Sequence, residues 1–117
     1  MVILNEGLNK TRDLLNTGIV TGDWGTGTAA AFPTDTGLGT AAATAVSVST
    51  TNSTYDKALT VTAVMSSTSG GTAVYAEHVT RFTDGTEMNR VAFSPITKSS
   101  QKSIHNISTF VITNGNI

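Results

Sequence analysis

The chain has 117 residues, a formal net charge of −1, 38% hydrophobic residues and 13% charged residues. This size predicts a single domain over residues 1–117, and the low charge differs from the charge-rich composition of disordered segments. Balanced charge creates no field that gathers phosphates, and the absence of Cys excludes disulfides, thiolate catalysis and zinc fingers. The apolar run at residues 1–4 is too short for a signal peptide or a membrane span. We therefore expect neither nucleic acid nor a membrane as a partner.

Residues 1–19 predict a short amphipathic helix. Leu4, Leu8 and Leu15 recur at spacings that place them on one face of a helix. Asn5 is a possible N-cap, and Gly18 is a natural stop. The pattern leaves open whether the leucine stripe packs on the chain's own sheet or on a partner.

Residues 20–44 are rich in Gly, Thr and Ala and predict an ordered loop. Its bulky residues are Trp24, Phe32 and Leu38. Aromatic rings of this size each bury about 150 Å² or more, so we expect them to pin the loop to the sheet. The glycines would serve turns and close backbone approach. A phosphate-binding P-loop is excluded because no Gly-Lys-Ser/Thr sequence follows GDWGTGT.

Residues 45–117 predict an antiparallel β core, because apolar and polar residues alternate along several short runs. The last run has an ambiguous phase, which predicts burial on both of its faces. Strands that follow one another at roughly ten-residue intervals are typical of a sandwich. The predicted fold is mainly β, an antiparallel β-sandwich with one short N-terminal helix. Besides a central hairpin, we predict strands at 45–49, 58–65 and 103–113, a polar turn at 50–56 and a flexible connector at 66–72.

The strongest local signal is a hairpin over residues 74–93. Asp84-Gly85 lies between two alternating runs, and Gly can adopt the positive backbone angles that a tight hairpin turn needs. One face of the hairpin should be core and the other wetter. A register symmetric about the turn places Glu77 opposite Arg90 to within about one residue. The pair is either a cross-strand ion pair worth roughly 0.2–1 kcal/mol or a pair of groups that bind another subunit.

The chain offers few residues for catalysis. His78 and His105 are its two histidines, and Glu77 must point to the opposite face of the strand from His78. A metal site built from both histidines with Asp35 or Asp84 has no ligand spacing behind it. We therefore expect no enzyme activity, no cofactor and no metal. A glycan hydrolase would need two carboxylates that face one cleft, drawn from Asp56, Glu77, Asp84 and Glu87.

Several segments in a fixed order resemble small virion proteins of tailed bacterial and archaeal viruses. They are LNEGLNKTRDLL, GDWGTGT, TDTGLGT at residues 34–40, YAEHVTRF with NRVAF, and the terminal strand. The order is similar to that of the phage tail-collar and tail-fibre N-terminal domain family. The residues that match its pattern are Asp35, Thr36, Leu38 and Gly39 in the loop motif, Glu77 as the strand acid, and Asn89-Arg90 at the opening of the next strand.

The resemblance implies a structural protein of the virion that is made in the host cytoplasm. We expect a homo-oligomer, with a trimer favoured, that binds major capsid or tail proteins as a capsid decoration or turret protein. A tail-fibre or tail-tip component is the alternative. A host-surface glycan-binding module would instead use an exposed ring of Trp24, Tyr55 or Tyr75. The expected interface residues are Leu4, Leu8, Leu15, Trp24, Phe32, Asp35, Leu38, Glu77 and Arg90.

Overall fold

A computed structural model describes residues 1–42 and 48–114 of the chain. The predicted strand at residues 45–49 therefore lies largely outside the described residues. The elements of the described part, in chain order, are α1 (Asn5–Gly18), β1 (Ile19–Gly25), β2 (Val48–Tyr55), β3 (Ala58–Met65), β4 (Val74–Phe82), β5 (Glu87–Thr97) and β6 (Ile104–Val111).

Two antiparallel three-stranded sheets pack together as a sandwich. The first sheet has the strand order β1-β4-β5 and the second has the order β2-β3-β6. β4 and β3 are thus the central strands, and each hairpin pairs a central strand with an edge strand. The predicted antiparallel β-sandwich with one short N-terminal helix is confirmed.

The predicted central hairpin is confirmed as β4 and β5. Gly85 has a φ of 88°, and the Asp84 side chain accepts the Thr86 backbone N–H at 2.8 Å. The expectation that one face of the hairpin is wetter is wrong for β4, because its residues 75–80 are all buried. The second sheet covers one face of β4, and backbone from residues 26–40 reaches Glu77 on the other.

Strands replace part of the predicted loop and all but the end of the predicted turn. β1 occupies the start of the loop expected at residues 20–44, and β2 runs through the polar turn expected at 50–56. The threonines of β2 are β-branched and fit a strand although they are polar. The actual turn is tighter and lies at Asp56-Lys57, where Lys57 has a φ of 54°.

The last strand is buried on one face, so the predicted burial of both faces is wrong. Ile104 and Ser108 of β6 are buried, whereas Ile107 is 67% exposed and Val111 is 64% exposed. The outer face of β6 is open to solvent because the second sheet packs through its other face. Two exposed aliphatic side chains on one strand therefore remain without a partner in the described part of the chain.

Helix α1 packs on its own sandwich, and this settles the question that the leucine spacing left open. Leu8 is 4% exposed, and Leu15 packs against the core cluster of Ile19, Leu59 and Val61. The assignment of Leu8 and Leu15 to an interface is corrected, because both contribute to the chain's own core.

The helix begins one residue earlier than expected. Leu4, not Asn5, is the N-cap residue, and its side chain makes no capping hydrogen bond within the described residues. Asn9 holds the helix to the turn between β2 and β3, because its side-chain oxygen accepts the Lys57 backbone N–H at 2.7 Å. The helix is therefore stabilised by docking, as expected for a short helix in water.

The larger core cluster surrounds Trp24, which is fully buried. The imidazole of His78 packs edge-on against the indole, with ring centroids 4.6 Å apart. The assignment of Trp24 to an interface is corrected, because its ring lies inside the sandwich. The cluster comprises Trp24, Ala63, Met65, Tyr75 and Ile104.

Gly22 provides the space that the His78 ring occupies. A Cβ at residue 22 would lie 2.5 Å from His78 Nε2 and 2.8 Å from the Val79 carbonyl oxygen. Overpacking of this kind costs about 1–3 kcal/mol. We expect Gly22→Ala to lower the free energy of unfolding by about that amount in urea denaturation.

The control for this substitution is Gly7→Ala in α1. There a Cβ would meet only the Ile3 side chain, at 3.3 Å, and Ala is favoured over Gly in a helix by about 1 kcal/mol. A Gly22→Ala variant as stable as the Gly7→Ala variant would contradict the packing argument.

Candidate functional site

The candidate site is built around the carboxylate of Glu77 on β4, whose side chain is 0% exposed. It accepts backbone N–H groups from Gly39 at 2.7 Å, from Thr40 at 3.0 Å and from Gly27. It also accepts Arg90 Nε at 2.9 Å. Because Gly27 lies at the start of the segment 26–40 and Thr40 at its end, one buried carboxylate fixes both ends of this loop. We call residues 26–40 the anchored loop.

Arg90 on β5 extends the network into the middle of the anchored loop. The register pairs Glu77 with Ala92 and Val79 with Arg90, so Glu77 and Arg90 are diagonal neighbours on one face of the hairpin. The Arg90 side chain is 6% exposed. Its guanidinium donates to the carbonyl oxygens of Ala29 at 2.8 Å and Ala30 at 3.1 Å and to a carboxylate oxygen of Asp35 at 3.0 Å.

The cross-strand ion pair predicted between Glu77 and Arg90 is confirmed, but its environment differs from the expected one. The range of a few tenths to 1 kcal/mol applies to exposed pairs, whereas here the anchored loop covers both groups. Removing one partner of a buried pair costs more, because the other charge is left without compensation. Both side chains are bonded within the chain, which corrects their assignment to an interface with another subunit.

The hydrogen bonds of the network keep its acids ionised. Burial alone would raise the pKa of Glu77, but the Thr40 N–H, Arg90 and the N–H groups of Gly39 and Gly27 hold that pKa below its ordinary value. The pKa of Asp35 is lowered by the Phe32 N–H and by Arg90. A carboxylate that already accepts four hydrogen bonds has little capacity to exchange a proton with a substrate.

Glycines allow the anchored loop and the end of β1 to approach this carboxylate. A Cβ at Gly25 would lie 2.7 Å from Glu77 Cγ and 2.6 Å from the Thr40 carbonyl oxygen. A Cβ at Gly27 would lie 3.0 Å from the Thr40 backbone nitrogen. The GTG sequence thus serves close packing of backbone around a buried acid.

The anchored loop presents Phe32 to solvent, with the residue 63% exposed, so the expectation that this ring pins the loop to the sheet is wrong. The Phe32 N–H donates to the Asp35 carboxylate at 2.9 Å, and the Asp35 N–H donates to the Phe32 carbonyl at 3.0 Å. Cavities of about 350 Å³ and about 340 Å³ adjoin this turn and share Phe32, Asp35, Gly37 and Arg90 in their walls. Leu38 lines the second cavity. The exposed ring therefore sits on a turn that hydrogen bonds hold in place.

A second charged cluster lies on the same sheet and was missed at the level of sequence. Arg81 donates to Glu87 and to Asp23, each at 3.2 Å. Its side chain is 29% exposed, so this cluster is wetter than the Glu77–Arg90 pair. The near-symmetric placement of Arg81 and Glu87 about the Asp84-Gly85 turn is the signal that would have revealed their contact.

The structure brings five of the nine expected interface residues to one region, and these are Phe32, Asp35, Leu38, Glu77 and Arg90. Leu4 lies elsewhere, at the start of α1, and is 67% exposed. The glycan-binding alternative loses Trp24 and Tyr75, which are both fully buried. Tyr55 remains, 59% exposed on the second sheet.

Of the four carboxylates considered for a hydrolase, Glu87 alone lines either cavity beside the anchored loop. Glu77 and Glu87 are each bonded to an arginine of the first sheet. Asp84 lies in the turn between β4 and β5, and Asp56 lies in the turn of the second sheet. Across residues 1–42 and 48–114, no three His, Asp or Glu side chains are grouped in a way that could hold a metal ion.

Within residues 1–42 and 48–114, no helix combines the length and the apolar character that spanning a bilayer requires.

Comparison of the chain with protein-family models, with curated proteins and with solved structures gave no significant match. The resemblance to virion proteins therefore stays a prediction from the sequence.

Proposed function

We propose that the protein is a non-enzymatic structural protein of a tailed-virus particle. It acts as a capsid decoration or turret protein that binds neighbouring virion proteins and copies of itself, with a trimer as the favoured assembly. A tail-fibre or tail-tip component is the alternative location. The observation that supports a binding role best is the anchored loop, which fixes the exposed Phe32 ring on a rigid sandwich.

The anchored loop has the properties of a preorganised binding element. Its ends are held by Glu77 and its middle by Arg90, so binding costs little further conformational entropy. An exposed aromatic ring is a common anchor at protein interfaces. The charged groups beneath the loop are saturated by internal bonds, which favours a structural role for them over a chemical one.

The outer face of the second sheet also supports binding between proteins. Tyr55, Ile107 and Val111 on this face are each more than half exposed. Depletion of charged residues is a feature of the fully buried core of protein interfaces. The outward-facing residues of the second sheet include no Asp, Glu, Lys or Arg. They are Ser49, Thr51, Ser53, Tyr55, Ala58, Thr60, Thr62, Val64, His105, Ile107, Thr109 and Val111.

The first test of this proposal is the solution mass of the purified chain, measured by light scattering over a range of concentrations and at low and moderate salt. We expect an oligomer, with a trimer favoured, that resists salt because apolar surface drives the association. A monomer under every condition would contradict self-association.

The second test uses Phe32→Ala and virus particles that lack the protein. We expect the variant to unfold at the same urea concentration as the wild type, because the ring is exposed. We expect it to bind the particles at least about tenfold more weakly than the wild type. Leu14→Ala is the control, since Leu14 is 61% exposed but lies on α1, away from the anchored loop. Equal binding by Phe32→Ala and wild type would remove the loop from the proposed interface.

A further inference from the structure

We propose that the groove between β5 and β6 receives residues 1–4 of a second copy of the chain as an added extended strand. This inference rests on the self-association proposed above and names the contact that would produce it. It is carried by the groove, by the strand edges beside it, which have no partner strand among residues 1–42 and 48–114, and by the exposure of residues 1–4.

The groove lies where the two sheets present free edges on the same side of the sandwich. β5 is an edge of the first sheet and β6 is an edge of the second, within the described residues. The groove has a volume of about 450 Å³ and contains no Asp, Glu, Lys or Arg in its lining. Its apolar walls include Phe93, Pro95 and Ile96 from β5, Ile104 and Ile107 from β6, and Trp24.

The main chain at this site selects an extended occupant. An edge strand presents N–H and C=O groups that another strand can pair with. Trp24 also lines the groove, but its indole N–H is buried, so the strand edges supply the hydrogen bonds for an occupant. The fitting ligand is an extended segment with uncharged, apolar side chains.

Residues 1–4 of this chain have that chemistry. Met1, Val2, Ile3 and Leu4 are 95%, 74%, 41% and 67% exposed. Leu4 has the extended angles φ −68° and ψ 155°. Contiguous exposed apolar surface is a feature of protein interaction sites.

The geometry of one copy indicates that the occupant comes from another. The Ile3 N–H donates to the Asn114 side chain at 2.7 Å, and the Asn114 amide donates back to the Ile3 carbonyl at 3.1 Å. In β6 the four steps from Ile107 to Val111 cover about 14 Å, and Asn114 follows beyond Val111. Residues 1–2 extend at most about 7 Å from Ile3. These residues therefore do not reach the groove of their own copy.

The test uses the absence of Cys from the chain, which makes single introduced thiols specific. A Val2→Cys protein and an isotope-labelled Ser94→Cys protein are mixed under mild oxidation, and linked dimers are identified by mass spectrometry. A disulfide requires Cα atoms within about 7 Å. We expect a mixed disulfide dimer in severalfold excess over the product of Val2→Cys with Met88→Cys, since Met88 lies on β5 outside the groove.

A matched pair of charge substitutions provides the second readout. Ile96 and Met88 both lie on β5 and are both 37% exposed, but only Ile96 lines the groove. We expect Ile96→Glu to weaken self-association at least tenfold and Met88→Glu to leave it unchanged, as measured by light scattering.

The outcomes separate this inference from the proposed function. A wild-type oligomer that gives no excess mixed disulfide and tolerates Ile96→Glu would overturn the groove contact while self-association stands. A wild-type monomer at every concentration would overturn both. A Val2→Cys/Ser94→Cys double variant that closes a disulfide within one chain would overturn the argument from reach.

Discussion

Replacing Arg90 by Met is expected to lower the free energy of unfolding by about 3–5 kcal/mol, the usual cost of breaking a buried ion pair from one side. The Glu77 carboxylate would keep its backbone donors but lose the Arg90 guanidinium that lies 2.9 Å away. The carbonyl oxygens of Ala29 and Ala30 would also lose their donors. Lys at residue 90 would not compensate, because a compact ammonium group cannot reproduce the planar fork of donors.

The measurement is urea denaturation of wild type and Arg90→Met, with Arg81→Met as the matched control. Arg81 lies on the same sheet and also pairs with two acids, but its side chain is 29% exposed. We expect this partly exposed cluster to contribute less, about 1 kcal/mol as for ion pairs at the surface. Equal losses of stability in the two variants would show that burial beneath the anchored loop has no energetic consequence.

Hydrogen exchange localises the effect of Arg90→Met. The amides of Gly39 and Thr40 donate to Glu77, so we expect them to exchange faster when the carboxylate loses its partner and the anchored loop opens. Strand amides of β3 should respond only through the global loss of stability. Unchanged exchange at residues 39–40 would mean that Glu77 holds the loop without Arg90.

The local signals that predicted the fold correctly depend on backbone geometry and strand periodicity. Asp84-Gly85 favours a hairpin turn through its own backbone preferences. The alternation in residues 58–65 predicts a strand because it requires only that one face of that strand is buried. β2 was missed because its residues are mostly Ser, Thr and Asn, which also form turns. Its strand conformation follows from pairing with β3 along its whole length, and this tertiary constraint has no local signal.

The candidate site was predictable in part, and the limit has a physical cause. Cross-strand spacing predicted that Glu77 and Arg90 lie close together. The glycines of the GTG sequence indicated that backbone approaches closely in this part of the chain. The partners that bury this pair are backbone N–H groups and the carbonyl oxygens of Ala29 and Ala30. Every residue carries such groups, so the sequence could not show that the anchored loop would cover the face of β4 that was expected to be wetter.

The buried network and the exposed surfaces have complementary roles in the proposed function. Glu77 and Arg90 supply rigidity from inside the chain, and Phe32 supplies a contact outside it. Modest contacts of this kind suffice on a particle that presents many copies, because linked copies raise the effective concentration. A loss of rigidity in Arg90→Met should therefore weaken particle binding even though Arg90 itself is not exposed.

The second large effect expected is a loss of stability in mild acid caused by His78. Its imidazole is 1% exposed, and neither ring nitrogen has a hydrogen-bond partner among the described residues. Burial lowers the pKa of His78 from its ordinary value of 6.5 to about 4, against an opposing effect of Asp23. Between these two pH values, His78 is therefore largely neutral in the folded chain and largely protonated in the unfolded chain.

The sign of the pH dependence follows from this difference in proton binding. Well above pH 6.5 the histidine is neutral in both states and has no effect on stability. As the pH falls from 6.5 towards 4, the unfolded state gains protons and stability drops by up to about 1.4 kcal/mol per pH unit. Glu77 and Asp35, with ordinary pKa values of 4.5 and 3.8 that the fold lowers further, lose their contributions only at lower pH. The interval from pH 6.5 to 4.5 thus isolates the histidine effect.

Urea denaturation at pH 7.5, 6.5, 5.5 and 4.5 tests this expectation. Wild type should lose about 2–3 kcal/mol between pH 6.5 and 4.5. His78→Leu should be nearly independent of pH over the same interval, because an apolar side chain of similar size removes the titrating group from the core. His105→Leu is the control, since it removes the chain's other histidine from an exposed position on β6. A slope that survives His78→Leu and vanishes in His105→Leu would assign the acid sensitivity to the surface, and the buried ring beside Trp24 would then carry no penalty.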